Sequence, residues 1–355
     1  MKFGQVVPAE FKKHHDAHAF EITGLLNWVK VLKGDVLTIN EDLTPYDVLL
    51  TNVSSTENEY ISLIRQENPD ATIIACFDYG MEAINTYLTS VERIKQVMQR
   101  ADHVFSVNKN QRAWMKYLLP GRTIHYMPHP TDVENVKKFR RSENQRGKGI
   151  AVMWHQYDNY QIQSLEVCRG VERELKRALT KTLIGLKTEY MKQHGIGTVS
   201  ANIPVILDTH PDPKLRGRPL DPNLPDVVTM APPGIGWDMV LPYFGVDSWY
   251  SLLSEFDLAI DLYTISSMGR FGIDCAGVGI PAVVSDKQDS SMLYPETTVD
   301  PYWPDKAIEV ARRLITEEHF REHVVREADK RLHHFGFGES KRRIEKVLET
   351  KSEAS

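Results

Sequence analysis

This 355-residue chain has almost nothing with which to staple itself: three cysteines, Cys76, Cys168 and Cys275, none of them in a CxxC pair. An odd number cannot all pair within one chain, so the three are expected as small core residues in a reducing compartment. The chain also lacks any stretch near the ~18 continuous apolar residues of a membrane span. Its first fifteen residues, MKFGQVVPAEFKKHH, contain no apolar run of signal-peptide length. A cytoplasmic protein with no membrane span is the expectation. There is no G-x-S-x-G, no P-loop and no complete G-x-G-x-x-G, which removes the usual marks of a hydrolase, an NTPase and a dehydrogenase. A basic surplus is missing too: 43 Lys and Arg stand against 48 Asp and Glu, a formal charge of −5. A protein that holds nucleic acid chiefly through its phosphates is normally basic, so that reading loses ground without being excluded.

What is present is alternation. A chain of this length exceeds one hydrophobic core, and two α/β domains are the first expectation. Short apolar runs at 3–7, 35–39, 46–52, 71–77, 103–107 and 123–127 alternate with helical patterns at 19–32, 57–66, 81–99 and 109–119. This implies parallel strands joined by right-handed crossovers. The run KKFRRSENQRGK at 137–148 carries no apolar periodicity and reads as a solvated connection. A second alternation follows: strands at 150–154, 204–208, 227–230, 258–262 and 281–285, a helical region at about 164–193, and a charged helical stretch from 305 to about 351. The fold class is therefore α/β, two Rossmann-like domains facing across a cleft with a C-terminal helical region. The divisions are 1–140, an acceptor-side domain; 149–304, a donor-side domain; and 305–355, helices packing back on the first domain.

Ligands of open parallel sheets bind beyond the carboxyl ends of the strands, so residues just after strands are the candidates. Asp78 follows the fourth strand and could orient an acceptor hydroxyl, or cap the next helix. His155 ends the first strand of the second half. The segment Ser266-Ser267-Met268-Gly269-Arg270 joins a strand to a helix. Gly269 permits close backbone approach, the helix start offers free N–H groups from Gly269 to Phe271, and Arg270 adds a planar cation: an anion site suited to a diphosphate. Asp274 falls one turn later, where a carboxylate can accept bonds from ribose hydroxyls. The alternative is an ordinary helix start with a surface arginine. His14, Asp16 and His18 could place two imidazoles together, but no third ligand is evident and no metal site is assigned. His210 reads as a loop residue, and Trp249 and Tyr250 as packing residues.

The run Asp274-Cys275-Ala276-Gly277-Val278-Gly279-Ile280-Pro281 and the strand after it resemble the Glu-Ala-x-Ala-x-Gly-x-Pro element of the retaining glycosyltransferases of family four, within the GT-B fold class. Residues 253–262, the element 101–108 and IHYMPHPTD at 124–132 match further elements in order. Pro242-Tyr243-Phe244-Gly245 resembles the turn that holds the nucleotide base, implicating Phe244 and Gly245. The resemblance implies a hexosyltransferase acting with retention on a UDP- or GDP-sugar, with no required cofactor or metal. Its partners would be the nucleotide sugar and an acceptor glycan, lipid or other small molecule. The departures are specific. Ser266 stands where the family has the first of two glutamates, Pro8 to His18 replaces a Gly-rich loop, and His155-Gln156-Tyr157-Asp158-Asn159 replaces basic donor contacts. Three alternatives stay open: a nucleotide-sugar epimerase, a degenerate nucleotide-sugar-binding protein, and a phage-type transferase acting on bases in DNA. The basic residues at 137–148 and 216–218 leave room for the last.

Overall fold

A computed structural model describes residues 1–9, 12, 26–53, 59–78, 91–142, 146, 150–154, 167, 171, 206–208, 240–241 and 246–350. The strands are β1 (Phe3–Val6), β2 (Asp35–Leu37), β3 (Val48–Asn52), β4 (Thr72–Phe77), β5 (His103–Ser106), β6 (Ile124–Tyr126), β7 (Ile150–Trp154), β8 (Ile206–Asp208), β9 (Val240–Leu241), β10 (Leu258–Asp261), β11 (Ala282–Ser285) and β12 (Thr298–Val299). The helices used below are α1 (Asn27–Leu32), α2 (Tyr60–Glu67), α3 (Val91–Gln99), α4 (Lys109–Leu118), α5 (Val133–Lys137), α6 (Val246–Leu253), α7 (Arg270–Val278), α8 (Pro304–Thr316), α9 (Glu318–Leu332) and α10 (Phe337–Glu349).

They form two six-stranded sheets, ordered β2-β1-β3-β4-β5-β6 and β12-β11-β10-β7-β8-β9. Every pairing is parallel. The central strands VLLTN and TIIACF are buried along their whole length. That follows from covering a parallel sheet with helices on both faces, which demands apolar residues without alternation. In the first sheet one face packs around Leu49, Ile73, Phe77 and Met115. The other packs around Phe3, Trp28, Leu50 and Phe105. The second sheet packs in one core with Trp249, Phe256 and Phe271. The expected strand at 227–230 and most of the helical region at 164–193 lie outside the described residues.

Two features differ from the expectation. The helices beyond residue 304 divide: Val310, Leu314 and Leu332 of α8 and α9 join the core of the second sheet, while Ile344 and Val347 of α10 pack on the first. Thr131 N–H bonds the Phe335 carbonyl at 2.7 Å, where the chain returns. The described part of the basic connection, although Lys138, Arg140 and Ser142 are exposed, is also anchored by its arginines. Arg140 Nε donates to the Gly277 carbonyl at 2.8 Å and its Nη2 meets Asp329 at 2.6 Å. Arg141 pairs with Glu255 at 2.6 Å, and Arg146 Nη2 donates to the Gly279 carbonyl at 2.7 Å. The carbonyls at the end of α7 lack intrahelical partners, and these guanidinium groups supply them. The connection is thereby pinned to the second sheet's helices. At Gly277 a side chain has no room, because a Cβ there would stand 2.5 Å from a methyl of Val136 on α5.

Candidate active site between the two sheets

The site begins at α7. Gly269 takes the left-handed conformation, φ 74° and ψ 51°, and no side chain caps the helix. Its N–H groups therefore open onto the loop after β10. Gly269 is needed for two reasons. Its φ is one that L-residues adopt at a cost, and a Cβ there would lie 2.8 Å from Ser290 Cβ and 2.9 Å from Gln288 Cβ. The close approach is thus made by the segment after β11.

Arg270 and Asp274 form an i,i+4 pair beneath this helix start. Nε of Arg270 donates to Asp274 Oδ1 at 2.7 Å, and its Nη2 donates to Tyr250 Oη at 2.8 Å. Trp249 Nε1 donates to Asp274 Oδ2 at 3.0 Å. Asp274 is 1% exposed and Arg270 12%. Burial opposes charge on both. For Arg270, the Asp274 carboxylate and Tyr250 outweigh burial and raise its pKa, so it stays a cation. For Asp274 burial outweighs the arginine and raises the carboxyl. Nη1 of Arg270 is buried without a partner. A buried unpaired guanidinium nitrogen is costly unless something meets it. Trp249 and Tyr250, expected as packing residues, are buried, and they also hold this pair in place.

Phe271 is buried against Trp249, with ring centroids 6.1 Å apart, so only its backbone can face a ligand. Ser266 is 8% exposed. Ser267 faces the first sheet: its carbonyl accepts from Asn108 Nδ2 and from the Asp289 N–H at 3.1 Å. His155, Phe244 and Gly245 lie outside the described residues, as do His14, Asp16 and His18. Among the described residues, no three His, Cys, Asp or Glu side chains come together as a metal site.

From the first sheet, Asp78 emerges after β4 with its side chain 32% exposed. Its Oδ1 stands 2.9 Å from His129 Nε2, at ion-pair distance but outside hydrogen-bond alignment. His129 is 2% exposed, and its Nδ1 is without a partner. It sits between Pro128 and Pro130 at the end of β6, where Asn27 Nδ2 donates to the Pro130 carbonyl at 2.8 Å. Sequence reasoning passed over this histidine, and the rigid Pro-His-Pro run after a strand is the signal that marks it.

The two halves meet at the start of α4. Asn108 caps that helix through Oδ1, accepting from the N–H groups of Asn110 at 2.9 Å and Gln111 at 3.1 Å. Its Nδ2 reaches across to Ser267. Asp289, on the short 3₁₀ turn Asp289–Met292 after β11, accepts the Lys109 N–H at 3.2 Å. One helix start is therefore capped from both halves. Burial pushes the Asp289 carboxyl up to about 6, against the opposing pull of Tyr126 and Lys109. No cap pattern within residues 285–292 announces this, because the helix that Asp289 caps is 180 residues away.

No protein-family model matches the chain, and no curated protein matches it in sequence. Solved structures do match in fold. One is an alpha-glucosyltransferase in complex with UDP and a 13-mer DNA containing an HMU base, with TM-score 0.60, 11% identity, and coverage of 99% of this chain and 100% of that one. Another is Anabaena HepE in complex with UDP and glucose, with TM-score 0.59, 9% identity, and coverage of 99% and 100%. A third is sucrose-phosphate synthase from Thermosynechococcus elongatus, with TM-score 0.59, 11% identity, and coverage of 88% and 75%. The fold is that of the GT-B glycosyltransferases, with two Rossmann-like domains.

Proposed function

We propose that the protein is a glycosyltransferase that moves a sugar from a nucleotide-diphosphate sugar, UDP- or GDP-linked, to an acceptor hydroxyl, with retention at the anomeric carbon. Residues 1–140 would receive the acceptor, 149–304 the donor, and 305–355 would tie the second unit back to the first. The observation that carries the reading is Arg270. It is a cation locked by Asp274 and Tyr250, with one nitrogen unpartnered, beside uncapped N–H groups at the start of α7. A diphosphate oxygen would complete that nitrogen and take the helix N–H groups. As the bond from sugar carbon to diphosphate oxygen breaks, charge grows on the diphosphate, and fixed donors stabilise it without reorganising. The new bond forms to the acceptor oxygen as its proton passes to the departing diphosphate oxygen, leaving the glycosylated acceptor and the nucleoside diphosphate. Asp78, with His129 behind it, is proposed to orient that hydroxyl, and His155 is proposed to contact the donor from the other side of the cleft. Asp274 is proposed to serve a ribose hydroxyl, which requires it to share an oxygen now given to Arg270 or Trp249. Phe244 and Gly245 are proposed to hold the base. The solved structures of similar fold that hold UDP support this donor class.

The test is thermal shift with UDP, GDP and uridine, because a ligand that binds only the folded state stabilises it by mass action. Arg270→Lys keeps the charge beside Asp274 but loses the planar fork. It is expected to weaken diphosphate binding at least tenfold and leave uridine binding unchanged. Equal loss for both ligands would move the diphosphate away from Arg270.

A second reading of the acceptor, a base in DNA, is favoured by one observation. Between residues 91 and 125 the chain carries seven basic residues, Arg93, Lys95, Arg100, Lys109, Arg112, Lys116 and Arg122, against Glu92 and Asp102. Three of the solved relatives are alpha-glucosyltransferase structures, two of them with DNA. Binding to duplex DNA that weakens steeply with salt would support it.

A further inference from the structure

Among the described residues two of the large exposed apolar side chains are adjacent: Tyr302, 66% exposed, and Trp303, 63% exposed. They follow β12, the edge strand of the second sheet. Because that sheet is wholly parallel, they lie at the same end as the loops after β10 and β11. The connection is direct. The Asp286 N–H donates to the Val299 carbonyl at 3.0 Å, and Gln288 bridges to Ser267. The aromatic pair thus stands at the same end of the second sheet as the proposed site, at the sheet's edge two strands from β10.

The segment holds these two residues rigidly. The Trp303 N–H closes a turn onto the Asp300 carbonyl at 2.9 Å, with Pro301 at its first central position. The Tyr302 N–H donates to Asp300 Oδ1 at 3.0 Å. Trp303 is the cap residue of α8, and Pro304 is the first residue of that helix. A proline in a turn and a proline at a helix start both fix the backbone in advance. Exposed rings on so stiff a segment lose little freedom on meeting a partner, the property that makes Tyr and Trp common contact residues.

The surrounding charge selects among partners. Asp300 and Asp305 are exposed beside the pair. The two nearby lysines are engaged, Lys287 with Asp286 at 3.2 Å and Lys306 with Glu309 at 2.9 Å. An acidic rim repels phosphate and sulfate. It suits a ligand with an apolar face and many hydroxyl donors, because the rings take the face and the carboxylates accept from the hydroxyls. We propose that Tyr302 and Trp303 form a binding platform for a neutral saccharide, the distal part of a sugar-bearing acceptor. The proposal rests on the glycosyltransferase reading for why a sugar chain lies at this edge; the binding itself requires no turnover.

The experiment is binding of labelled protein to an array of neutral, sialylated and sulfated oligosaccharides together with duplex DNA, alongside light scattering. Wild type is expected to retain neutral oligosaccharides. Trp303→Ala is expected to lose at least tenfold in binding, Tyr302→Ala several-fold, and Tyr117→Ala, a distant exposed tyrosine on α4, nothing. Melting temperature and the thermal shift with UDP should be the same in all four proteins. Preference for acidic glycans or DNA, no retention of neutral glycans, or unchanged binding by Trp303→Ala would each overturn the proposal. So would a wild-type dimer that Trp303→Ala converts to monomer, since the platform would then be covered by a second copy. Loss of the UDP response in wild type would instead strike at the donor reading, whatever the array shows.

Discussion

Arg270, Asp274, Asp78 and His129 carry the account at the scale of single residues, and they differ in how openly the sequence displays them. Arg270 stood out because it follows a glycine at a strand-to-helix junction. Asp274 stood out because it begins a run resembling a known element. Their mutual arrangement was not readable: an i,i+4 spacing permits contact, but nothing in the letters says that Trp249 and Tyr250 close over the pair from α6. The same partners define a prediction for Asp78. Asp78→Asn keeps the shape and removes the charge facing His129. If Asp78 orients the acceptor hydroxyl, turnover falls by roughly 10²-fold or more with the melting temperature nearly unchanged. His129→Gln, which acts only through Asp78, should lower kcat less and leave donor KM alone. A stability loss of about 1 kcal/mol with normal turnover would make Asp78 a helix cap instead.

At the scale of elements, the start of α4 and the loops of the second sheet form one unit. Asp289 carries its pH dependence. Its carboxyl is at about 6 in the folded protein against an ordinary 3.8, with burial as the main cause. Raising a carboxyl's pKa means that the folded state holds the proton more tightly. Its contribution is therefore fully present below about pH 4 and is lost as pH rises through about 6. The tyrosine beside it has its own pKa raised, chiefly by burial, and His334 is pushed down to about 4 by burial and by Arg343. In the folded protein neither changes charge between pH 5 and 7; His334 does so in the unfolded chain, a contribution common to both proteins being compared. Asp289→Asn retains an acceptor for the Lys109 N–H and cannot ionise. It should match wild type near pH 4 and be more stable at pH 7, by at most about 3 kcal/mol. Chemical denaturation at the two pH values measures the difference, and equal pH slopes in both proteins would remove Asp289 from the account. The neighbouring loop gives a second expectation. Gly269→Ala should destabilise by about 1–3 kcal/mol, since it combines a positive φ with overpacking against Ser290.

At the scale of the whole molecule, the two parallel sheets were legible because β3, β4, β10 and β11 each carry consecutive apolar residues without alternation, with polar residues only at their ends, the pattern that burial on both faces imposes. The two-residue strands β9 and β12 escaped, since neither is long enough to show a period. The split of the terminal helices between the two sheets escaped for a different reason. α8, α9 and α10 are all charged and amphipathic, and amphipathicity says that a face is buried without saying against what. The relation between the halves, set by Asn108, Asp289 and the return of the chain at Thr131, is made of contacts distant in sequence and invisible to local patterns. The claim on which the rest depends is that the second sheet seats a nucleotide diphosphate at α7. A crystal structure of the protein with UDP, and one with GDP, tests it most directly. In one of the two, a diphosphate oxygen is expected within about 3 Å of Arg270 Nη1 and of the first N–H groups of α7. A nucleotide bound elsewhere, or no binding of either at millimolar concentration, would contradict it.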